Sequence, residues 1–187
     1  MISHDLNERK WELLKSKYLF QRPWLTARCD EVKLPNGTII PEFYVLEYPD
    51  WVNVIARTKD NLFVMIRQYR HGIRQTRYEL CAGVIDDGED PLTAAKRELY
   101  EETGYGNGEW HKISVISGNP SVTNNWTHCY VAEGVELLST QHLEDSEDIS
   151  VHLLTPKELK ELMVNDEIKQ SLMLAPLWKY FIEKKLI

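Results

Sequence analysis

Residues 83–105 read GVIDDGEDPLTAAKRELYEETGY, and the fold is decided by how this stretch is read. A turn rich in acid and glycine leads into a short helix with signals at both ends. Asp90 suits the N-cap, where its carboxylate accepts from an orphaned backbone N–H, and Pro91 suits the first helical position, where no N–H is needed. Gly104 suits the left-handed residue that closes a helix. Leu92, Ala95 and Leu99 repeat at helical spacing and give the helix one face to bury. Glu98, Glu101 and Glu102 stand at i, i+3 and i+4, so they project from one side. Like charges so placed repel unless a cation sits among them, and oxygen donors suit a hard divalent cation such as Mg²⁺. The bland alternative is a charged, solvated surface helix.

The spacing argues against that alternative. Five residues separate Gly83 from Glu89, seven separate Glu89 from Arg97, and Glu98, Leu99, Glu101, Glu102 and Gly104 follow in fixed order. This resembles the signature of the Nudix hydrolases at every fixed position, with Tyr105 where an aliphatic residue is usual. The resemblance implies an α/β (α+β) fold, a Nudix-type α/β/α sandwich with a mixed sheet, in which the signature forms a loop–helix–loop. It also implies a small N-terminal antiparallel sheet. Residues 1–50 are expected as an N-terminal β region serving dimerisation, and residues 51–187 as the Nudix hydrolase domain.

The whole chain sets bounds on function. Its 187 residues suit one substantial core, and 10% aromatic residues argue against disorder. A formal net charge of −7 with no basic block excludes a nucleic-acid footprint. The charged N-terminus MISHDLNERKWELLK lacks the apolar region of a secretory signal, and no apolar run reaches membrane-spanning length. Cys29, Cys81 and Cys129 are odd in number and far apart, and read as reduced, mostly buried thiols of a cytoplasmic protein.

Along the chain, residues 10–57 read as strands around the hairpin signal Pro35-Asn36-Gly37. Leu62–Arg70 reads as a central strand, with Phe63, Met65, Arg67 and Tyr69 on one face and Val64, Ile66, Gln68 and Arg70 on the other, so Arg67 and Arg70 should not both face one site. An arginine opposite a carboxylate-bound cation would be a phosphate clamp. Tyr78–Gly83 reads as one strand running into the box. Gly83 lets backbone approach a ligand, which makes the Ala82 carbonyl a further candidate metal ligand. Arg97 can pair with Glu101 at i+4 and hold that carboxylate. An acidic loop, His142–Asp148, precedes a strand over 149–153. Thr155-Pro156-Lys157-Glu158 is a capping box opening a helix to about Val164, and residues 167–185 read as a last helix, bent or interrupted at Pro176.

Clustered carboxylates around Mg²⁺, with Mn²⁺ as the alternative and more than one ion per site, suit in-line attack of water on a diphosphate. Glu98, Glu101, Glu102 and Ala82 form the expected metal set. Glu147 or Glu144 is expected to take the proton of the attacking water. Beyond the box, the chain resembles the ADP-ribose and ADP-sugar pyrophosphatases within the Nudix superfamily. RQYR, YELCAGVIDDGE, Pro120 and EDSEDISVH carry that resemblance. It implies Arg70 as a phosphate contact and Glu147 as the catalytic glutamate, assisted by Glu101, Arg97 and Glu144. It also implies substrate contacts at Arg67, Glu79 and Pro120, base stacking on Trp24, and a homodimer that exchanges N-terminal strands. The implied reaction is ADP-ribose plus water giving AMP and ribose 5-phosphate, with GDP-mannose or another nucleotide sugar as alternative. Two other readings have less support: isopentenyl diphosphate isomerisation lacks its cysteine–glutamate pairing here, and a non-catalytic transcriptional sensor would usually lack a box carboxylate and carry a basic winged-helix extension.

Overall fold

In the computed structural model, residues 5–186 are described, so residues 1–4 and Ile187 of the two expected regions lie outside the described residues. The chain divides into two compact units, one running up to Tyr48 and including Asn119–Asn125, the other comprising Pro49–Gly118 and the rest from Trp126. The first unit is an antiparallel sheet of β1 (Glu12–Arg22), β2 (Leu25–Lys33) and β3 (Ile39–Glu47) in that order. The Asn36-Gly37 turn between β2 and β3 puts Gly37 at φ 88°, a conformation glycine adopts without strain. Leu46 adds a bridge to Thr123 and donates its N–H to the Val122 carbonyl at 2.7 Å, tying residues 119–125 to this sheet.

The second unit is the expected three-layer α/β/α sandwich. Its sheet holds β4 (Trp51–Thr58), β5 (Phe63–Arg70), β6 (Gln75–Glu79), β7 (Cys81–Val84), β8 (Tyr105–Gly106), β9 (Glu109–Ile116), β10 (Thr127–Leu137) and β11 (Ile149–Leu154). β10 runs parallel to β4 and the other pairings are antiparallel, so the sheet is mixed. Helix α1 (Pro91–Thr103) packs Ala94, Ala95 and Leu99 against Val52, Val54, Ala56 and Val64 on one face. On the other face α2 (Pro156–Val164) and α3 (Ser171–Glu183) pack Leu159, Met163, Leu177, Tyr180 and Phe181 against Ile55, Phe63 and Met65. The alternation of β5 thus divides Phe63 and Met65 from Val64 as the period of 2 requires.

One strand departs from its expectation. Tyr78–Gly83 is not a single strand, because β6 pairs with β5 while β7 pairs with β4, and the change of partner falls at buried Leu80. β4 and β5 pair with each other only at Ala56–Val64 and Arg57–Phe63, and beyond that point they splay. β6 and β7 fill the gap, each satisfying the open edge of one strand.

The last helix also starts later than the pattern suggests. Asp166 adopts φ 57° after α2, Glu167 pairs with Arg77, and α3 begins at Ser171. Pro176 lies inside α3 without interrupting it. Proline cannot donate to the carbonyl four residues earlier, that of Leu172, and that carbonyl accepts instead from Asn53 Nδ2 of β4 at 2.7 Å in a buried bond.

Candidate active site

The box assembles from its own caps. Asp90 accepts from the N–H groups of Leu92 and Thr93 at 3.0 and 3.1 Å, and Gly104, at φ 75°, donates to the Tyr100 carbonyl at 2.8 Å. This registers α1 so that Glu98 lies directly over Gly83 of β7. A Cβ at residue 83 would sit 2.0 Å from the Glu98 carboxyl carbon, so only glycine allows the approach. Arg97 organises the neighbouring acids. Its Nε and Nη2 donate to the two Glu89 oxygens at 3.0 and 2.9 Å, and its Nη1 donates to Glu98 at 2.8 Å and Glu101 at 3.1 Å. Nη2 also reaches the Val84 carbonyl at 3.0 Å. Glu89 was not among the expected site residues, although its fixed place in the spacing is the signal that marks it. Its pairing with Arg97 holds its carboxyl below the usual range.

Glu102 has no such cation. Its carboxylate accepts from the Ala82 N–H at 3.0 Å and is 3% exposed. Burial pushes its pKa up to about 8; bonds from Cys81 and Ala82 oppose the rise, and the charges of Glu98 and Glu147 add to it. Burial likewise raises Glu98, with Arg97 opposing and Glu101 and Glu147 adding. The site therefore holds more buried carboxyl groups than Arg97 can pair, and all its donors are oxygens, which fits a hard divalent cation. Among the described residues no three acidic, histidine or cysteine side chains converge closely enough to enclose an ion. Arg97 engages Glu98 and Glu101, and the Ala82 N–H engages Glu102.

The splayed strands open beside the box onto a cavity of about 560 Å³. The lining includes Arg70 and Glu79, Trp51, Ala82 and Gly83, and, around the start of α3, Lys169, Gln170, Leu172 and Met173. Arg70 is aimed by Glu79, which is 2% exposed: its Nε reaches both carboxylate oxygens at 3.0 and 3.1 Å, and its Nη2 one of them at 2.6 Å. Gln68 adds a bond to Glu79 at 3.3 Å. Arg67 lies elsewhere, its guanidinium 4.9 Å over the Tyr78 ring and outside the cavity lining. Glu147 is half-buried, close enough for its charge to act on Glu98 and Glu102, and its carboxylate accepts from the Glu144 N–H at 2.9 Å. Glu144 is exposed. Trp24 and Pro120 belong to the first unit, Trp24 in the β1–β2 turn and 75% exposed, Pro120 exposed on the 119–125 segment.

Comparison with known proteins extends these observations. A NUDIX domain model matches residues 48–174, and a model of the nucleoside diphosphate sugar hydrolase N-terminal domain matches residues 11–46. The chain is 31% identical to a methanol dehydrogenase activator of Bacillus methanolicus, over 84% of this chain and 85% of that protein. It is 30% identical to an ADP-ribose pyrophosphatase of Bacillus subtilis (strain 168), over 83% and 84%. A crystal structure of an ADP compounds hydrolase superposes with a TM-score of 0.82 at 19% identity, covering 99% of this chain and 100% of the other, a likeness of fold.

Proposed function

The chain belongs to the Nudix hydrolases, with an N-terminal region of the nucleoside diphosphate sugar hydrolase type, and on that premise we propose that it hydrolyses the diphosphate linkage of ADP-ribose to AMP and ribose 5-phosphate. The observation that carries the reading is a single juxtaposition. Gly83 and Ala82 border both the carboxylates of α1 and the cavity, and Arg70 opens onto the same cavity. A diphosphate lying across that border meets acid on one side and a preformed guanidinium fork on the other.

In this reading Glu98, Glu101, Glu102 and the Ala82 carbonyl hold more than one Mg²⁺ or Mn²⁺. Bound cations there would polarise phosphoryl oxygens and supply hydroxide near neutral pH. Arg70 binds phosphate, oriented by Glu79, whose carboxylate spans the guanidinium. Arg97 holds Glu98 and Glu101 in place by its two bonds from Nη1. Glu147 takes the proton of the attacking water, with Glu144 at the other end of the same loop turn. By the family resemblance Trp24 stacks on the base and Pro120 contacts substrate, whereas Arg67, set over the Tyr78 ring, lies outside the cavity lining. The B. subtilis relative's name supports ADP-ribose over other nucleotide sugars. The protein acts in the cytoplasm as a homodimer, a reading supported by the free thiols of Cys29, Cys81 and Cys129 and by the exposed apolar residues of β1.

The test is a panel of nucleotide sugars and dinucleotides incubated with Mg²⁺, with products identified. AMP and ribose 5-phosphate from ADP-ribose is the expected result. A large preference for GDP-mannose overturns the ADP-ribose assignment, and no cleavage across the panel overturns the enzymatic one.

A further inference from the structure

A helix ends with carbonyls that have no partner inside it. At the end of α1 those partners come from one segment, residues 138–142. Leu138 and Ser139 donate to the Gly104 carbonyl at 2.8 and 3.2 Å, and His142 donates its backbone N–H to the Glu101 carbonyl at 2.8 Å. The His142 ring stacks on Tyr100 at 5.2 Å and 22°, and its Nε2 lies 3.0 Å from Ser139 Oγ. Between them, the Gln141 side chain does something different. Its Nε2 reaches the Glu102 carbonyl at 2.7 Å and the Ile149 carbonyl at 3.1 Å. An amide nitrogen carries two protons, and here each has an acceptor.

The two acceptors stand on different parts of the chain. Glu102 is a box residue, and Ile149 is the first residue after the acidic loop. Gln141 stands immediately before that loop, so one side chain closes both ends of residues 142–148 onto the last turn of α1. Inside the loop Glu144 and Glu147 bond each other, Glu147 N to Glu144 O at 3.0 Å and Glu144 N to Glu147 Oε2 at 2.9 Å. The loop is therefore a closed turn whose two ends Gln141 ties together, beside the His142 backbone bond to Glu101 and the pairing of Ile149 with Gln68 of β5.

We propose that Gln141 is a positioning residue for catalysis, setting where Glu147 stands relative to Glu98 and Glu102 by fixing both ends of the acidic loop to α1. This rests on the reading of Glu147 as the proton acceptor. Without the clasp the loop keeps its internal turn, the His142 bond and the β11 pairing but loses the bridge that joins its two ends at Glu102, and a shift of an ångström at a reacting group is costly.

The experiment is a kinetic double-mutant cycle on the full chain with amide exchange beside it. Gln141→Met keeps length and removes both donors. It is expected to lower kcat on the order of tenfold with KM nearly unchanged. In a Glu147→Gln background the same change should move kcat less than about twofold, because the residue it acts through is already disabled. Gln141→Lys, which restores donors, should recover part of the rate, and amide exchange over 142–149 should quicken in Gln141→Met. Equal losses in both backgrounds, or an unchanged kcat in Gln141→Met, overturn the positioning role. Unchanged exchange overturns the clasp itself. A wild-type rate for Glu147→Gln alone overturns the proton-acceptor reading, and is told apart because exchange still reports the clasp.

Discussion

At the scale of single residues, the site depends on one missing methyl group. Glu98 occupies the space a side chain at 83 would need. Gly83→Ala must displace the carboxylate by more than an ångström, since the Cβ would lie 2.0 Å from its carbon. The strand itself tolerates alanine, because Gly83 is not at positive φ. The expected outcome is a fall in kcat/KM on the order of 10²-fold with a small change in the urea midpoint, read by steady-state kinetics and denaturation side by side. An equal loss of stability and activity would mean that β7, not Glu98, had moved. The glycine was legible in the sequence only as a place where backbone approaches a ligand; that its missing side chain makes room for Glu98 depends on how α1 packs on β7. Glu89 was less legible, since its role is to hold Arg97, and a spacing pattern marks a position without saying what it touches.

At the scale of elements, Pro176 shows how a local rule is met by a distant residue. The pattern suggests a helix bent or interrupted at Pro176, and α3 runs through that residue uninterrupted, the carbonyl that the proline leaves free being satisfied by Asn53. Sequence reading supplied the problem but not the solution, which lies 119 residues away along the chain. The same holds for Leu80, where β6 gives way to β7: alternation shows a strand but not a change of partner. The helix caps at Asp90, Gly104 and Thr155 were legible because their partners lie within four residues. Asn53→Ala orphans the Leu172 carbonyl and is expected to destabilise the protein by about 1–3 kcal/mol in chemical denaturation. In a Pro176→Ala background, residue 176 regains an N–H for that carbonyl, and the cost of Asn53→Ala should shrink. A cost that is the same in both backgrounds would show that Asn53 stabilises through packing alone.

At the scale of the molecule, α3 is fastened to the sheet by a network that titrates. Tyr180, fully buried, donates to Glu133 Oε1 at 2.7 Å, and Lys184 donates to Glu133 at 3.0 Å. Burial first, then Glu133, raise the Tyr180 pKa to about 12, above its ordinary value. A folded pKa raised above the unfolded one gives stability that is complete below the unfolded value and lost as pH climbs through the folded one. The protein should therefore lose stability between about pH 10 and pH 12. Tyr180→Phe should flatten that part of the urea-midpoint profile, and an identical profile would remove Tyr180 from the account. The first unit raises the larger question of assembly. Its sheet buries few apolar side chains, Ala27, Val32 and Val45, whereas β1 is exposed along all eleven residues and shows Leu13, Leu14, Tyr18, Leu19 and Phe20 to water. An exposed apolar edge strand of that length invites pairing with another chain. A second copy of this chain is the occupant expected from the homodimer reading. Sedimentation should give a dimer at micromolar concentration, and Leu19→Lys with Phe20→Lys should shift it toward monomer while the far-ultraviolet circular dichroism stays unchanged. A wild-type chain that sediments as a monomer would refute the dimer and leave that edge to some other partner.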